Sequence, residues 1–285
     1  MIYGVTGGAS RLGNEDRFGY RTGAAWVLDG ATDISGVDFE GRTAAWWLVE
    51  AYQAELQDCA QHAATNDAHS LMAHLAAGVA ERLHARFGTD DRSKTAALEQ
   101  ASTALSLVRR RRGGWAVLCL ADCPVLFRDP LTGAMRILAD AGFSPFERRS
   151  LQALEAARLG DPDAGLDRLV ESVRPVLLAN RASMNRERGY AVGALRAPPA
   201  SLLQEHMLPE GVDAFVILSD GFSRWYDLLA LGTPDTLFAR IERGEAAQVL
   251  AELRHAERND PDATRYLRFK MHDDATCLYV RTNEL

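Results

Sequence analysis

The sequence predicts an α+β fold in which sheets built from hairpins are interrupted by blocks of amphipathic helix. Short apolar runs recur with turn signals between them, as antiparallel meanders require. Helical stretches come in blocks instead of alternating one by one with strands, which argues against βαβ units. The strand ends are the third observation. Ala24-Ala25-Trp26-Val27-Leu28-Asp29-Gly30 and Phe215-Val216-Ile217-Leu218-Ser219-Asp220-Gly221 are apolar runs released into an acid and a glycine, and Ala275–Val280 is entered from Asp273-Asp274.

Taken in order, residues 2–6 and 18–28 read as strand, separated by the turn-rich stretch 7–16. After the polar loop 31–42, Ala45, Leu48, Val49, Tyr52 and Leu56 share one helical face. A second helix places Leu71, Leu75, Val79, Leu83 and Phe87 at four-residue spacing, and Gly88 closes it. Thr103, Leu105 and Leu107 alternate with smaller neighbours, Trp115–Ala121 and Val125–Arg128 are apolar runs, and Met135–Leu138 follows the turn Asp129–Gly133. Residues 145–188 read as helix broken at Gly160-Asp161-Pro162. Strands resume at 190–195 and 215–218, helix fills 227–260, and a last strand covers 275–280. With no linker or repeat, the chain reads as one domain over 1–285, its helices covering sheets whose inner faces meet.

Composition narrows the function. The chain has 285 residues, 47% of them apolar, and a net charge of -7, so a nucleic-acid surface is not its main business. Arg109–Arg112, beside Gly113-Gly114, reads as a solvated hairpin loop. No run is long enough to span a membrane, and Met1–Ser10 has neither a basic leader nor an apolar core, so a cytoplasmic protein is expected. Of the four cysteines (Cys59, Cys119, Cys123, Cys277) none form a Cys-x-x-Cys pair. In one extended strand Cys119 and Cys123 would lie about 13 Å apart, too far to bridge, so buried thiols are expected.

An acid delivered to the rim by a core strand needs a partner, because an ionised carboxylate is costly to bury alone. The glycine after it, free to take φ > 0, leaves the backbone carbonyl approachable. Hard oxygen donors of this kind suit Mg²⁺ or Mn²⁺.

Arg11-Leu12-Gly13-Asn14-Glu15-Asp16, Val27-Leu28-Asp29-Gly30, Leu218-Ser219-Asp220-Gly221 and Asp273-Asp274-Ala275-Thr276, in this order, resemble the motifs of the metal-dependent type 2C (PPM/PP2C) serine/threonine protein phosphatases, the bacterial branch in particular. Ala101–Ala104 resembles that family's small-residue strand start, and Ala121-Asp122-Cys123 stands where it usually has Gly-Asp-Ser. The resemblance implies a four-layer αββα sandwich of two antiparallel sheets flanked by helices, with a binuclear Mg²⁺ or Mn²⁺ centre that activates a bridging water to hydrolyse phosphoserine and phosphothreonine. It implies that Asp29 bridges the metals, the Gly30 carbonyl binds one, and Asp220 and Asp273 complete a shell supported by Glu15 and Asp16. Asp122 would contribute to a third, weaker site, although its flanking glycine and serine are absent. Arg11 would hold the substrate phosphate, and a guanidinium's planar fork suits that task. The implied partners are a phosphorylated protein substrate and a cognate Ser/Thr kinase or its target, with no nucleic acid and no membrane. Residues 145–188 fall in the family's variable flap beside the cleft. Any regulatory domain would be on another chain, since the sequence stops at Leu285.

Eukaryotic members carry a histidine after Asp-Gly, where this chain has Ala31, so the general acid is unassigned; His272 is the nearest substitute in sequence. A phosphatase with an aspartyl nucleophile would need Asp-x-Asp-Gly, which Val27 and Ala31 do not supply. The remaining rival is a PP2C-like signalling module that binds a phosphorylated partner without turnover. Retention of Glu15, Asp16, Asp29, Asp220 and Asp273, which would repel one another without a cation, favours catalysis.

Overall fold

The strand β3 (Ala24–Gly30) is apolar on both faces because it is covered on both. In the computed structural model, which describes residues 1–9, 13–32, 34–59 and 67–285, it lies second in a five-stranded sheet. The order is β2 (Asp16–Arg21), β3, β4 (Thr103–Arg111), β5 (Gly114–Leu120) and β8 (Glu205–Met207). The second sheet runs β1 (Ile2–Gly7), β10 (Ala275–Arg281), β9 (Ala214–Leu218), β6 (Val125–Arg128) and β7 (Met135–Leu138). Every pairing between these strands is antiparallel.

Strand parity builds the layers. Ala25 and Val27 meet Phe215, Ile217, Leu278 and Val280 between the sheets, while Trp26 and Leu28 pack outward against α1 (Ala44–Asp58) and α2 (Ala68–Phe87). The outer face of the second sheet is covered by α6 (Asp220–Asp227), α7 (Pro234–Glu242) and α8 (Ala246–Arg258) through Phe222, Leu237 and Leu253. The result is the expected helix–sheet–sheet–helix sandwich. Between β7 and β8, α4 (Ser144–Gly160) and α5 (Leu166–Arg181) pack on each other through Leu154, Leu169 and Val173, joined by Leu267 and Phe269.

Local chemistry sets the helix ends. Thr43 caps α1 by accepting from the Trp46 N–H, Asp67 caps α2 through the Ser70 N–H, and Gly88 ends α2 at φ +71°. All five apolar positions predicted for α1 are buried, as are Leu71, Leu75, Val79 and Leu83 of α2. A short helix, α3 (Arg92–Gln100), was not predicted; Asp91 caps it by accepting from Ser93 and Lys94 N–H.

The structure corrects four expectations. Residues 18–28 are two strands, turned at Thr22-Gly23 with Gly23 at φ +79°. Residues 190–195 form no strand; isolated bridges such as Thr103 to Gly193 are all they contribute to pairing. Their backbone is satisfied by side chains: Asn185 bonds Val192 N–H and C=O, and the Tyr52 hydroxyl bonds Ala194 N–H and C=O. Cys119 and Cys123 do not share a strand, because β5 ends at Leu120 and the chain turns at Ala121 with φ +60°. All four cysteines are free and buried, as expected.

The fourth correction is Arg109. It lies within β4 and is fully buried, with Nη2 2.6 Å from Glu205 Oε1 on β8. Removing one partner of a buried ion pair leaves an uncompensated charge, whereas apolar replacement of the charge itself is better tolerated. Glu205→Ala should therefore cost about 3 kcal/mol, and Arg109→Met distinctly less, both read from urea unfolding; equal losses would mean packing, not charge, governs the pair.

Candidate active site

The β2–β3 register places Asp16 directly opposite Asp29. Cross-strand partners share a face, and Asp29 continues the Ala25 and Val27 parity toward the space between the sheets. Opposite Asp29 on β4 stands Ala104, whose small side chain leaves room. Asp16 is fully buried, and neither of its oxygens has a hydrogen-bond partner of normal geometry among the described residues. Burial and the Asp274 carboxylate push its pKa up to about 8, against the opposing pull of the nearby Thr276 and Ser219 hydroxyls. Asp29 is likewise pushed well above the ordinary carboxylate range, by burial first and then by Asp16, Asp220 and Asp122.

The second sheet supplies the other acids. β9 ends at Leu218, Ser219 caps, and Asp220 is the first residue of α6. Asp220 is raised by burial and by Asp273, with Arg224 and Lys270 opposing. At Asp273, burial is outweighed by Lys270 and Arg224, and the carboxyl is held low. Its Oδ1 lies 2.7 Å from Lys270 Nζ and its Oδ2 2.7 Å from Arg224 Nη2.

Asp274, on the other side of the β10 entry, acts as a clamp. Its two oxygens accept from Ala9 N–H at 2.6 Å and Glu15 N–H at 2.5 Å, tying the segment after β1 to the start of β2. The Glu15 side chain accepts from the Thr43 hydroxyl that also caps α1. Both motif glycines prove to be needed for close approach, since neither has positive φ. A Cβ on Gly30 would lie 2.9 Å from the Glu15 carbonyl oxygen, and one on Gly221 would lie 1.9 Å from that of Asp274.

Behind Asp273 stands fully buried Glu257 of α8, which pairs with Arg254 at 2.8 Å and with His272 Nδ1 at 2.8 Å. Arg254 in turn donates to the carbonyls of Asp273 (2.5 Å) and Gly7 (2.8 Å). His272 is thus engaged with Glu257 and does not line the cleft, which removes it as the substitute general acid.

A cavity of about 590 Å³ opens over Asp29, Asp122, Asp220 and Asp273 and is walled by Phe143, Phe146, Val170 and Leu177 around α4 and α5. Asp122 is raised by burial, then by Asp220 and Glu147. Arg11 lies outside the described residues. Among the described residues no three His, Cys, Asp or Glu side chains are placed to hold a metal ion. Asp16 nonetheless fits a hard cation: a fully buried carboxylate with no charged partner among the described ion pairs and no hydrogen bond of normal geometry, facing a second raised carboxylate. Sequence reasoning singled out the acids but missed Lys270, Arg224, Asp274 as a clamp, and Glu257; Arg224, four residues after Asp220 in a helix, was the one with a readable signal.

No protein-family model and no curated protein matches the sequence. Solved structures do. The catalytic domain of the serine/threonine protein phosphatase PstP, in complex with two manganese ions, is 15% identical with a TM-score of 0.53, covering 98% of this chain and 96% of that one. The Mycobacterium tuberculosis phosphatase PstP/Ppp is 15% identical with a TM-score of 0.52, covering 98% and 97%. Serine/threonine phosphatase Stp1 from Staphylococcus aureus is 12% identical with a TM-score of 0.53, covering 98% and 94%.

The Asp16 shift has a definite sign. The unfolded chain loses this proton near pH 4 while the folded chain keeps it to about pH 8, so the group's effect is to lower stability as pH rises through that window. Asp16→Asn should raise the thermal midpoint of EDTA-treated protein at pH 8, by about 2–4 °C per kcal/mol relieved, and have little effect at pH 4.5. A lower midpoint at pH 8 would show that the carboxylate is better satisfied than its surroundings indicate.

Proposed function

The chain has the fold of the bacterial PPM/PP2C serine/threonine phosphatases, and from that premise we propose that it is a divalent-cation-dependent hydrolase of phosphoserine and phosphothreonine in proteins. The observation that carries this reading is the meeting of Asp16 and Asp29 from one sheet with Asp220 and Asp273 from the other, next to a cavity of about 590 Å³. Buried carboxylates raised by burial and by one another, as Asp16, Asp29 and Asp220 are, favour a bound cation.

Asp29, Asp16, the Gly30 carbonyl and Glu15 are the residues proposed to hold Mn²⁺ or Mg²⁺, with Asp220 and Asp273 completing the shell of a second ion where one binds and Asp122 for a further weak site. Bound there, such ions would polarise a phosphoryl oxygen and lower the pKa of an attacking water. The chain's own work is positional. Asp274 fixes Glu15, Glu257 and Arg254 fix Asp273, and the α4–α5 segment walls one side of the cleft with Phe143, Phe146, Val170 and Leu177. Arg11 would grip the phosphate with its fork of donors. The proposed partner is a phosphorylated protein, with a cognate Ser/Thr kinase or its target the natural source. No helix among the described residues is long and apolar enough to cross a membrane.

A second reading, a phosphoprotein-binding module without turnover, is favoured by one observation: Asp273 is already neutralised by Lys270 and Arg224. Phosphate release from a pool of phosphoserine and phosphothreonine peptides separates the two. With Mn²⁺ or Mg²⁺ the chain should turn over, EDTA should stop it, and Asp29→Asn should lower kcat/KM by more than about 100-fold, beyond the 10–100-fold that even groups one step removed from a metal are worth. Arg11→Ala should act mainly on KM. Metal-dependent turnover that survives Asp29→Asn would sink the site assignment, and phosphopeptide binding without release would establish the module.

A further inference from the structure

We propose that Lys270 is a resident cation of the acidic cleft that replaces one of the two divalent ions expected there, so that this chain loads a single divalent ion, on the Asp16–Asp29 side. The inference deepens the phosphatase reading and rests on it.

The charges of the cleft are divided unequally. On the β10 side both oxygens of Asp273 are taken: Oδ1 by the Lys270 ammonium at 2.7 Å and by the Asp274 N–H at 3.1 Å, Oδ2 by Arg224 at 2.7 Å. Arg224 also stands 3.6 Å from Asp220. A divalent ion coordinating Asp273 would have to share its oxygens with charge-assisted hydrogen bonds, which are about twice as strong as neutral ones and draw off the carboxylate's charge. It would then sit beside two fixed positive groups, and Coulomb repulsion at that range is severe in a desolvated site. On the β2–β3 side the reverse holds. Asp16 is fully buried and has no cationic partner among the described ion pairs, only the nearby Thr276 and Ser219 hydroxyls, and it faces Asp29 across the strand pair. A single hard cation there would neutralise both carboxylates.

Lys270 is also carried on a built segment. Two residues before it, Arg268 is 2% exposed, pairs with Asp260 at 2.7 Å and donates to the carbonyls of Tyr266 and Met271 at 2.8 and 3.2 Å. Phe269 lines the cavity, and Arg254 holds the Asp273 carbonyl. The backbone on either side of Lys270 is therefore pinned, and its ammonium is delivered to the cleft, within electrostatic reach of Asp29, Asp220 and Asp273.

Manganese titration by calorimetry, with electron paramagnetic resonance of the bound ion, tests the proposal on the full chain. Wild type and Lys270→Arg should bind one Mn²⁺. Lys270→Met and Lys270→Gln should bind two and show the spectrum of a spin-coupled pair, a twofold rise in stoichiometry; the pair of neutral variants guards against one that fails to fold. Two ions in the wild type would overturn the proposal and leave the phosphatase reading standing. One ion in every variant would also overturn it, since Lys270 would then not be what excludes the second. No Mn²⁺ binding and no phosphate release by the wild type would overturn both.

Discussion

Asp16 and Asp29 face each other across the first two strands of one sheet, on the side where it meets the other sheet. Two carboxylates so placed persist only if they share a proton or a cation, because burial and mutual repulsion both disfavour the doubly ionised form. The strand register makes the opposition unavoidable. The alternation that buries Val27 also turns Asp29 inward, and pairing then brings Asp16 to the same face. A one-residue slip would relieve the repulsion but expose the apolar inner row, so the hydrophobic core holds the acids in a position they would not choose.

The second sheet meets this strain with positive charge and backbone donors. Asp274 spends its two oxygens on the N–H groups of Ala9 and Glu15, fastening the residue pair after β1 and the residue before β2 to the entry of β10. Gly221 is glycine because the Asp274 carbonyl fills the space a Cβ would need, and that close fit positions the start of α6 against the entry to β10. Glu257 extends the arrangement into the outer helical layer through Arg254, whose guanidinium reaches the Asp273 carbonyl and the end of β1. The outer helices therefore do more than cover apolar surface; α8 fixes the strand ends from which the cleft is made.

Much of the fold was legible in the sequence because its signals are local and periodic. The α1 and α2 faces, the hairpins around β4 to β7 and the glycine stop at Gly88 all follow from spacing alone. What sequence could not give were pairings that only tertiary structure creates. Residues 190–195 look like a strand, yet Tyr52 and Asn185 satisfy their backbone from 142 and 7 residues away. Arg109 looks like part of a basic loop until β8 brings Glu205 beside it. The same limit applies at the cleft. The acids sit at strand ends and could be read, but Lys270 and Glu257 sit in a connecting segment and on a helix surface, where nothing in their neighbours marks them out.

The two halves of the cleft consequently differ in kind. The half built by β2 and β3 has excess negative charge and no internal counter-ion for Asp16, so it gains most from an ion taken up from solution. The half built by α6 and β10 carries its own cations at hydrogen-bonding distance from Asp273. Lys270 and Arg224 spend their charge on Asp273 and Asp220, so this second half balances much of its own charge and gains less from a further ion. The asymmetry follows from where the chain places its basic residues: Arg224 comes one helical turn after Asp220 and Lys270 three residues before Asp273, whereas no basic side chain among the described ion pairs reaches Asp16.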